Sequence, residues 1–130
     1  MERIPMSLDV MPRIEPVVDG NVWMVFEDWH VSINGRSFVV PKGFVTDGAS
    51  IPRLLWRICG HPMTTRRFPI ALLHDWLYSE EGYKATGLTR KEADLIYYYG
   101  LRDLGFGVGS ALVEYEMVRI FGGSHWEGRE

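Results

Sequence analysis

Strand-forming residues crowd the first third of this chain and helix-type periodicity fills the rest, with the change falling just after Phe44. From Asn21 to His30 the chain is rich in Val, Trp, Met and Phe, the side chains that pack well on a pleated sheet. Asn34-Gly35 then stands between Val31-Ser32-Ile33 and Ser37-Phe38-Val39-Val40. Asn and Gly both tolerate positive φ, so the pair predicts a tight β-hairpin. Residues 1–20, punctuated by Pro5, Pro12 and Pro16, read as an irregular lead-in or an edge strand. Residues 21–45 therefore form a small antiparallel sheet of about three strands.

Residues 50–122 carry helix signals. Ser50 is placed to cap a first helix with Pro52 in its first turn, and Gly60 stops it. Thr64 or Thr65 opens a second helix that must hold Pro69 in its first turn and runs to Tyr78 or Ser79. Thr89-x-x-Glu92 is a capping box for a third, ended by Gly105. Ser110 opens a fourth, ended by Gly122-Gly123. Strands first and helices afterwards define an α+β fold, read as one domain over residues 1–130 with a helical hairpin carrying the site.

Composition narrows the function classes. With 14 basic and 17 acidic residues the net charge is −3, whereas nucleic-acid binding draws its affinity from a basic excess; nucleic acid is not the expected partner. Cys59 is the only cysteine, which excludes an intrachain disulfide and a cysteine-rich zinc site. Residues 1–16 lack a basic segment followed by an apolar one, so no signal peptide is expected, and no apolar run approaches the length of a membrane span.

Three stretches could carry chemistry. In the first, Ala71 to Tyr78, His74 and Tyr78 share a helix face while Asp75 is turned by roughly 100°. An imidazole can act as general base near neutral pH; equally, it can be a buried histidine satisfied by a backbone carbonyl. The second is Asp94 on the next helix. If the two helices pack as a hairpin, Asp94 faces His74 and fixes its tautomer, the orienting role in a catalytic triad; a first-turn acid at the helix dipole accounts for it as well. The third is Thr46-Asp47-Gly48-Ala49-Ser50, at the strand-to-helix junction. Asp47 could ligate a metal and the backbone N–H groups could hold an anion, or an Asx-turn and an N-cap account for the segment without chemistry. Arg53, Arg57, Arg66 and Arg67 form a basic cluster in sequence beside these residues, able to steer an anion or to form a solvated face.

These blocks in this order, Gly43-Phe44-Val45-Thr46-Asp47-Gly48-Ala49-Ser50-Ile51-Pro52, then Leu72-Leu73-His74-Asp75-x-Leu77-Tyr78, then Arg90-x-x-Ala93-Asp94, resemble a small family common in tailed bacteriophages and prophages and catalogued only as a domain of unknown function. The Phe121-Gly122-Gly123-Ser124 and Trp126 region also resembles its C-terminal pattern. The resemblance covers roughly Val39 to Trp126 and implies a phage or prophage origin. It places the protein in the host bacterial cytoplasm, with incorporation in the virion as a further destination. The His74-Asp75-x-x-Tyr78 run with Asp94 also resembles the site of secreted calcium-dependent phospholipases. There, the resemblance implies, His74 activates water, Asp75 binds calcium and Asp94 orients the histidine. The chain departs from that class in lacking disulfides and a glycine-rich calcium loop shortly before the histidine, so Asp47-Gly48 would have to substitute.

Two readings follow. In one the protein is a metal-assisted hydrolase of the bacterial envelope, lipid or peptidoglycan. His74, Asp94 and Tyr78 form the catalytic group, Asp75 and Asp47 hold calcium or, second, zinc, and Thr46, Ser50 and Arg53 support them. In the other it is a virion, tail-assembly or host-interaction protein without catalysis, and the same residues are a structural network whose truncation costs about 1–3 kcal/mol.

Overall fold

The computed structural model describes residues 11–17 and 22–129. Most of the proline-punctuated lead-in therefore lies outside the described residues. What remains of it, Ile14–Pro16 (β1), is an edge strand pairing antiparallel with Trp23–Val25 (β2). β2 also pairs with Val45–Thr46 (β5), giving a three-stranded sheet in the order β1-β2-β5. Trp29–Ile33 (β3) and Arg36–Val40 (β4) form a separate hairpin. Its turn is Asn34-Gly35, with φ of 50° and 79°, the positive pair that matches strand twist. The hairpin register sets Trp29 opposite Val40 and Val31 opposite Phe38, and these four bury one face with Ile33.

The α+β class holds, and the described residues form five short strands in two sheets where about three in one sheet were expected. The apolar run 21–30 is not one strand. It breaks after Val25, whose N–H donates to the Phe44 carbonyl at 2.8 Å and whose own carbonyl accepts from Gly43 N at 2.8 Å. Asp28 then takes the Lys42 N–H at 2.7 Å and turns the chain into β3.

Among the described residues five α-helices follow: Arg53–Cys59 (α1), Phe68–Tyr78 (α2), Glu80–Thr86 (α3), Arg90–Asp103 (α4) and Val108–Phe121 (α5). Ser50 does not cap α1; Pro52 stands at that position without a side-chain cap, because the Ser50 hydroxyl is engaged elsewhere. Nor does Thr64 or Thr65 open α2. A 3₁₀ turn at Pro62–Thr64 intervenes, capped by His61, and α2 starts at Phe68 with Pro69 in its first turn, as the chemistry of proline demands. α5 begins at Val108 rather than Ser110. The Thr89/Glu92 capping box is present in full.

α3 was not expected. Ser79 ends α2 and accepts from Gly82 N at 3.1 Å, starting a new helix at once. A Cβ on Gly82 would lie 1.9 Å from the Trp76 carbonyl oxygen, so only glycine allows so sharp a corner. α2 is apolar on nearly every side; Pro69 to Tyr78 are buried except Asp75, as befits the central element of the core. It packs against α4 at Gly100, where a Cβ would fall 2.1 Å from Ile70 Cδ1. That close crossing sets the distance between His74 and Asp94. One apolar cluster joins both sheets to α1, α2, α4 and α5.

Candidate active site

The α2–α4 crossing brings together the residues that the sequence set on separate helices. His74 Nε2 lies 2.7 Å from Asp94 Oδ1, and the Tyr78 hydroxyl donates to that same oxygen at 2.7 Å. Asp94 Oδ2 accepts from Arg119 Nη1 at 2.8 Å. Arg90 Nε donates to the Tyr78 oxygen at 3.0 Å, and its Nη2 holds the Val118 and Arg119 carbonyls at the end of α5. His74 and Asp94 are fully buried. Burial works to raise the Asp94 carboxyl, but bonds from His74, Tyr78 and Arg119 outweigh it and hold Asp94 below its ordinary value. Burial and the Asp94 charge push the Tyr78 phenol far up, so it stays a donor at any physiological pH.

The other face of the imidazole meets the 46–50 segment. His74 Nδ1 lies 2.9 Å from Ser50 Oγ, and Ser50 Oγ is also bonded to Asp75 Oδ1. Asp75 Oδ1 accepts the Ser50 N–H at 3.1 Å; Oδ2 accepts from Gly48 N at 3.0 Å and from the Thr46 hydroxyl. The carboxylate thus clasps β5 and the following turn onto α2. Burial nevertheless raises the Asp75 carboxyl above its ordinary value, against the hydrogen bonds from Ser50 and Thr46. Proton positions follow by counting. Asp75 Oδ1, Ser50 Oγ and His74 Nδ1 form a row with two hydrogen bonds, while Ser50 owns one proton. The second proton sits either on Asp75, and Ser50 donates to His74, or on His74 Nδ1, and Ser50 donates to Asp75. Only the first arrangement leaves the imidazole a base toward Ser50.

A pocket of about 380 Å³ opens on this row, walled by Phe44, Thr46, Ser50, Asp75, His125 and Glu127 among others. His74 does not line it; Ser50 and Asp75 do. The imidazole therefore reaches the pocket only through the Ser50 hydroxyl. The 122–127 tail closes one side: Glu127 N donates to the Tyr78 carbonyl at 2.9 Å, and Trp126 packs edge-on to Tyr78 at 5.3 Å.

The remaining sequence candidates fall outside the row. Asp47 is exposed and its Oδ1 accepts from Ala49 N at 2.8 Å, an Asx-turn. Arg53 lies over the Trp56 ring at 4.9 Å, in a neighbouring hollow. Arg67 leaves the basic cluster altogether: it is buried and paired twice with Glu114, at 3.0 Å for each bond, and Tyr97 donates to the same carboxylate at 2.8 Å. The residues do not fit a cation held by Asp75 and Asp47. Both Asp75 oxygens already face N–H and O–H donors, whose positive ends would repel a metal ion. Among the described residues no group of three His, Cys, Asp or Glu side chains could hold one. Sequence reasoning missed Arg119, which no spacing ties to Asp94. It also missed Arg90's bond to Tyr78, although Arg90 belongs to the Arg90-x-x-Ala93-Asp94 block.

The architecture is thus a small α+β domain around a buried aspartate–histidine–serine line. The chain belongs to the family described as "Protein of unknown function (DUF1353)", whose profile matches residues 23–118. It is similar to the uncharacterized protein y4jT of Sinorhizobium fredii (strain NBRC 101917 / NGR234), 32% identical over 89 residues. That match covers 68% of this chain and 25% of the relative, so the chain corresponds to about a quarter of the longer protein. No solved structure matches the chain. Among the described residues no helix is long and apolar enough to cross a membrane.

Proposed function

We propose that the protein is a serine-type acyl hydrolase in which His74 acts as general base through Ser50. The observation that carries this reading is the unbroken line Asp94–His74–Ser50, at 2.7 and 2.9 Å, ending at a pocket wall. In the reaction Ser50 Oγ attacks the acyl carbon as its proton passes to His74 Nδ1; the departing oxygen or nitrogen takes that proton, and water then releases the acyl group by the reverse transfers. Asp94, kept ionised by Tyr78 and Arg119, steadies the imidazolium. The ring nitrogens exchange the roles they have in serine proteases, a matter of which edge of the imidazole faces the nucleophile. The phage-family resemblance directs the substrate search to esters and amides of the bacterial envelope, reached from the host cytoplasm or carried by the particle.

An alkyl fluorophosphonate tests this. Ser50 Oγ displaces fluoride from phosphorus and the hydroxyl proton goes to His74, so mass spectrometry finds one adduct on Ser50. His74→Ala slows the labelling by about 10²–10⁴-fold, and Ser50→Ala abolishes it. A folded native protein that is neither labelled nor active on activated esters between about pH 5 and pH 9 defeats the proposal.

A second reading has its own support. The N–H groups of Gly48, Ala49 and Ser50, which could cradle an oxyanion, are engaged by Asp75 and Asp47. On that reading the network is a clamp between the 46–50 segment and α2, in a non-catalytic virion, tail-assembly or host-interaction protein. It predicts an inert Ser50 and a fall in stability of about 1–3 kcal/mol in His74→Ala.

A further inference from the structure

Beside the Ser50 pocket lies a second hollow of about 220 Å³, lined by Val22, Asp47, Arg53, Trp56 and His61. Val22 and Asp47 line both cavities, so the two adjoin at these residues. Trp56, His61 and Asp47 are each fixed by a hydrogen bond. Trp56 donates its indole N–H to the Ile51 carbonyl at 2.9 Å, leaving its ring as a wall. His61 is packed between Trp56, at 4.3 Å, and Trp23, at 5.0 Å. Its Nδ1 accepts the Met63 N–H at 3.0 Å, so the neutral ring carries its proton on Nε2, as a donor. Burial also lowers the His61 pKa, which keeps the ring neutral. Arg53 makes no ion pair among the described residues and rests on the Trp56 ring. Asp47 uses Oδ1 on Ala49, which leaves Oδ2 as an acceptor.

The formal charges of Asp47 and Arg53 cancel. A free anion in this hollow faces Asp47 and a free cation faces Arg53. A polyhydroxylated ring meets these demands together: its hydroxyls accept from Arg53 and His61 and donate to Asp47, and its C–H groups lie against an indole. We propose that the Asp47–Arg53–Trp56–His61 hollow is a binding subsite for one neutral sugar residue of a saccharide that extends toward Ser50. The binding itself stands on the hollow alone; that the sugar carries the acyl group presented to Ser50 rests on the hydrolase reading. Between the two envelope substrates, this favours the glycan-containing wall over lipid.

The test uses the full chain and the N-acetylglucosamine trimer as probe, followed by NMR of the indole N–H groups, with Trp56 assigned from Trp56→Phe. Millimolar trimer shifts the Trp56 resonance, and Arg53→Ala, an exposed substitution that leaves the melting temperature in place, weakens binding about tenfold. His61→Gln weakens it to a similar degree. No shift in the native protein at about 10 mM trimer, an unchanged Kd in Arg53→Ala, or tighter binding of succinate than of the trimer each overturns the subsite. Titrating Ser50→Ala in parallel separates the two proposals. Trimer binding by native and variant without fluorophosphonate labelling of the native leaves the subsite and removes the hydrolase. Labelling without trimer binding does the reverse.

Discussion

Asp75 decides what Ser50 can do. With Asp75 ionised, the second proton is on His74 Nδ1 and the Ser50 hydroxyl donates to Asp75; with Asp75 protonated, Ser50 has only His74 to donate to. Asparagine imitates the protonated acid, since its amide N–H donates to Ser50 Oγ. It also sets a donor against the Ser50 backbone N–H that Oδ1 now accepts. Asp75→Asn is therefore expected to retain or increase the rate of fluorophosphonate labelling while losing about 1–3 kcal/mol of stability, read from labelling kinetics and urea unfolding. Loss of labelling in a folded variant would return Asp75 to an essential role as an anion, as the phospholipase resemblance supposes. The His74–Asp94 pairing was legible because both residues sit in helical segments whose signals are strong. The role of Ser50 was not. As an N-cap its hydroxyl would serve a local N–H, and only the tertiary fold shows it turned to side chains 24 and 25 positions away.

At the scale of the elements, the site depends on how closely α2 and α4 approach. Gly100 has no Cβ to hold the helices apart, and Ile70 fills the space to within 2.1 Å of where one would be. On an isolated helix Gly→Ala is favourable by about 1 kcal/mol. Here the added methyl meets Cγ1 at 2.3 Å as well as Cδ1, and Ile70 Cβ, which no change of rotamer moves, stands at a tight 3.1 Å. Gly100→Ala is expected to lower the melting temperature and slow Ser50 labelling together, by moving Asp94 away from His74. Adding Ile70→Ala, which vacates the contested volume, should recover part of the labelling rate although it removes buried apolar surface. A double-mutant cycle with additive losses would show that the two positions do not compete. The same scale shows why α3 and the break after Val25 were illegible. Gly82 inside a seven-residue helix reads as a turn, and the Asp28–Lys42 bond that ends the first apolar run joins positions too distant for local pattern.

Over the whole molecule, Asp94 and Asp75 act in opposite senses on stability. Asp94 is held below its ordinary 3.8. The unfolded chain therefore binds a proton more readily there, and the Asp94 contribution is present above the unfolded value and lost as pH falls through the folded one. Asp75 is raised; its contribution is present below the unfolded value and lost as pH rises through the folded one. Other carboxylates shift too: Glu80 is lowered by Lys84 and Glu92 by the Thr89 backbone. Both are common to the native protein and any Asp94 variant, so a difference between the two isolates Asp94. Asp94→Asn presents an amide where His74, Tyr78 and Arg119 need an acceptor, which makes it less stable than the native protein near neutral pH. As pH falls from about 5 to about 2 the native protein gives up its Asp94 advantage while the variant has none to lose. The gap in melting temperature should accordingly narrow over that range, measured by thermal unfolding at matched ionic strength. A gap of constant width would mean that Asp94 contributes through shape and packing rather than as the charged anchor on which α2, α4 and α5 converge.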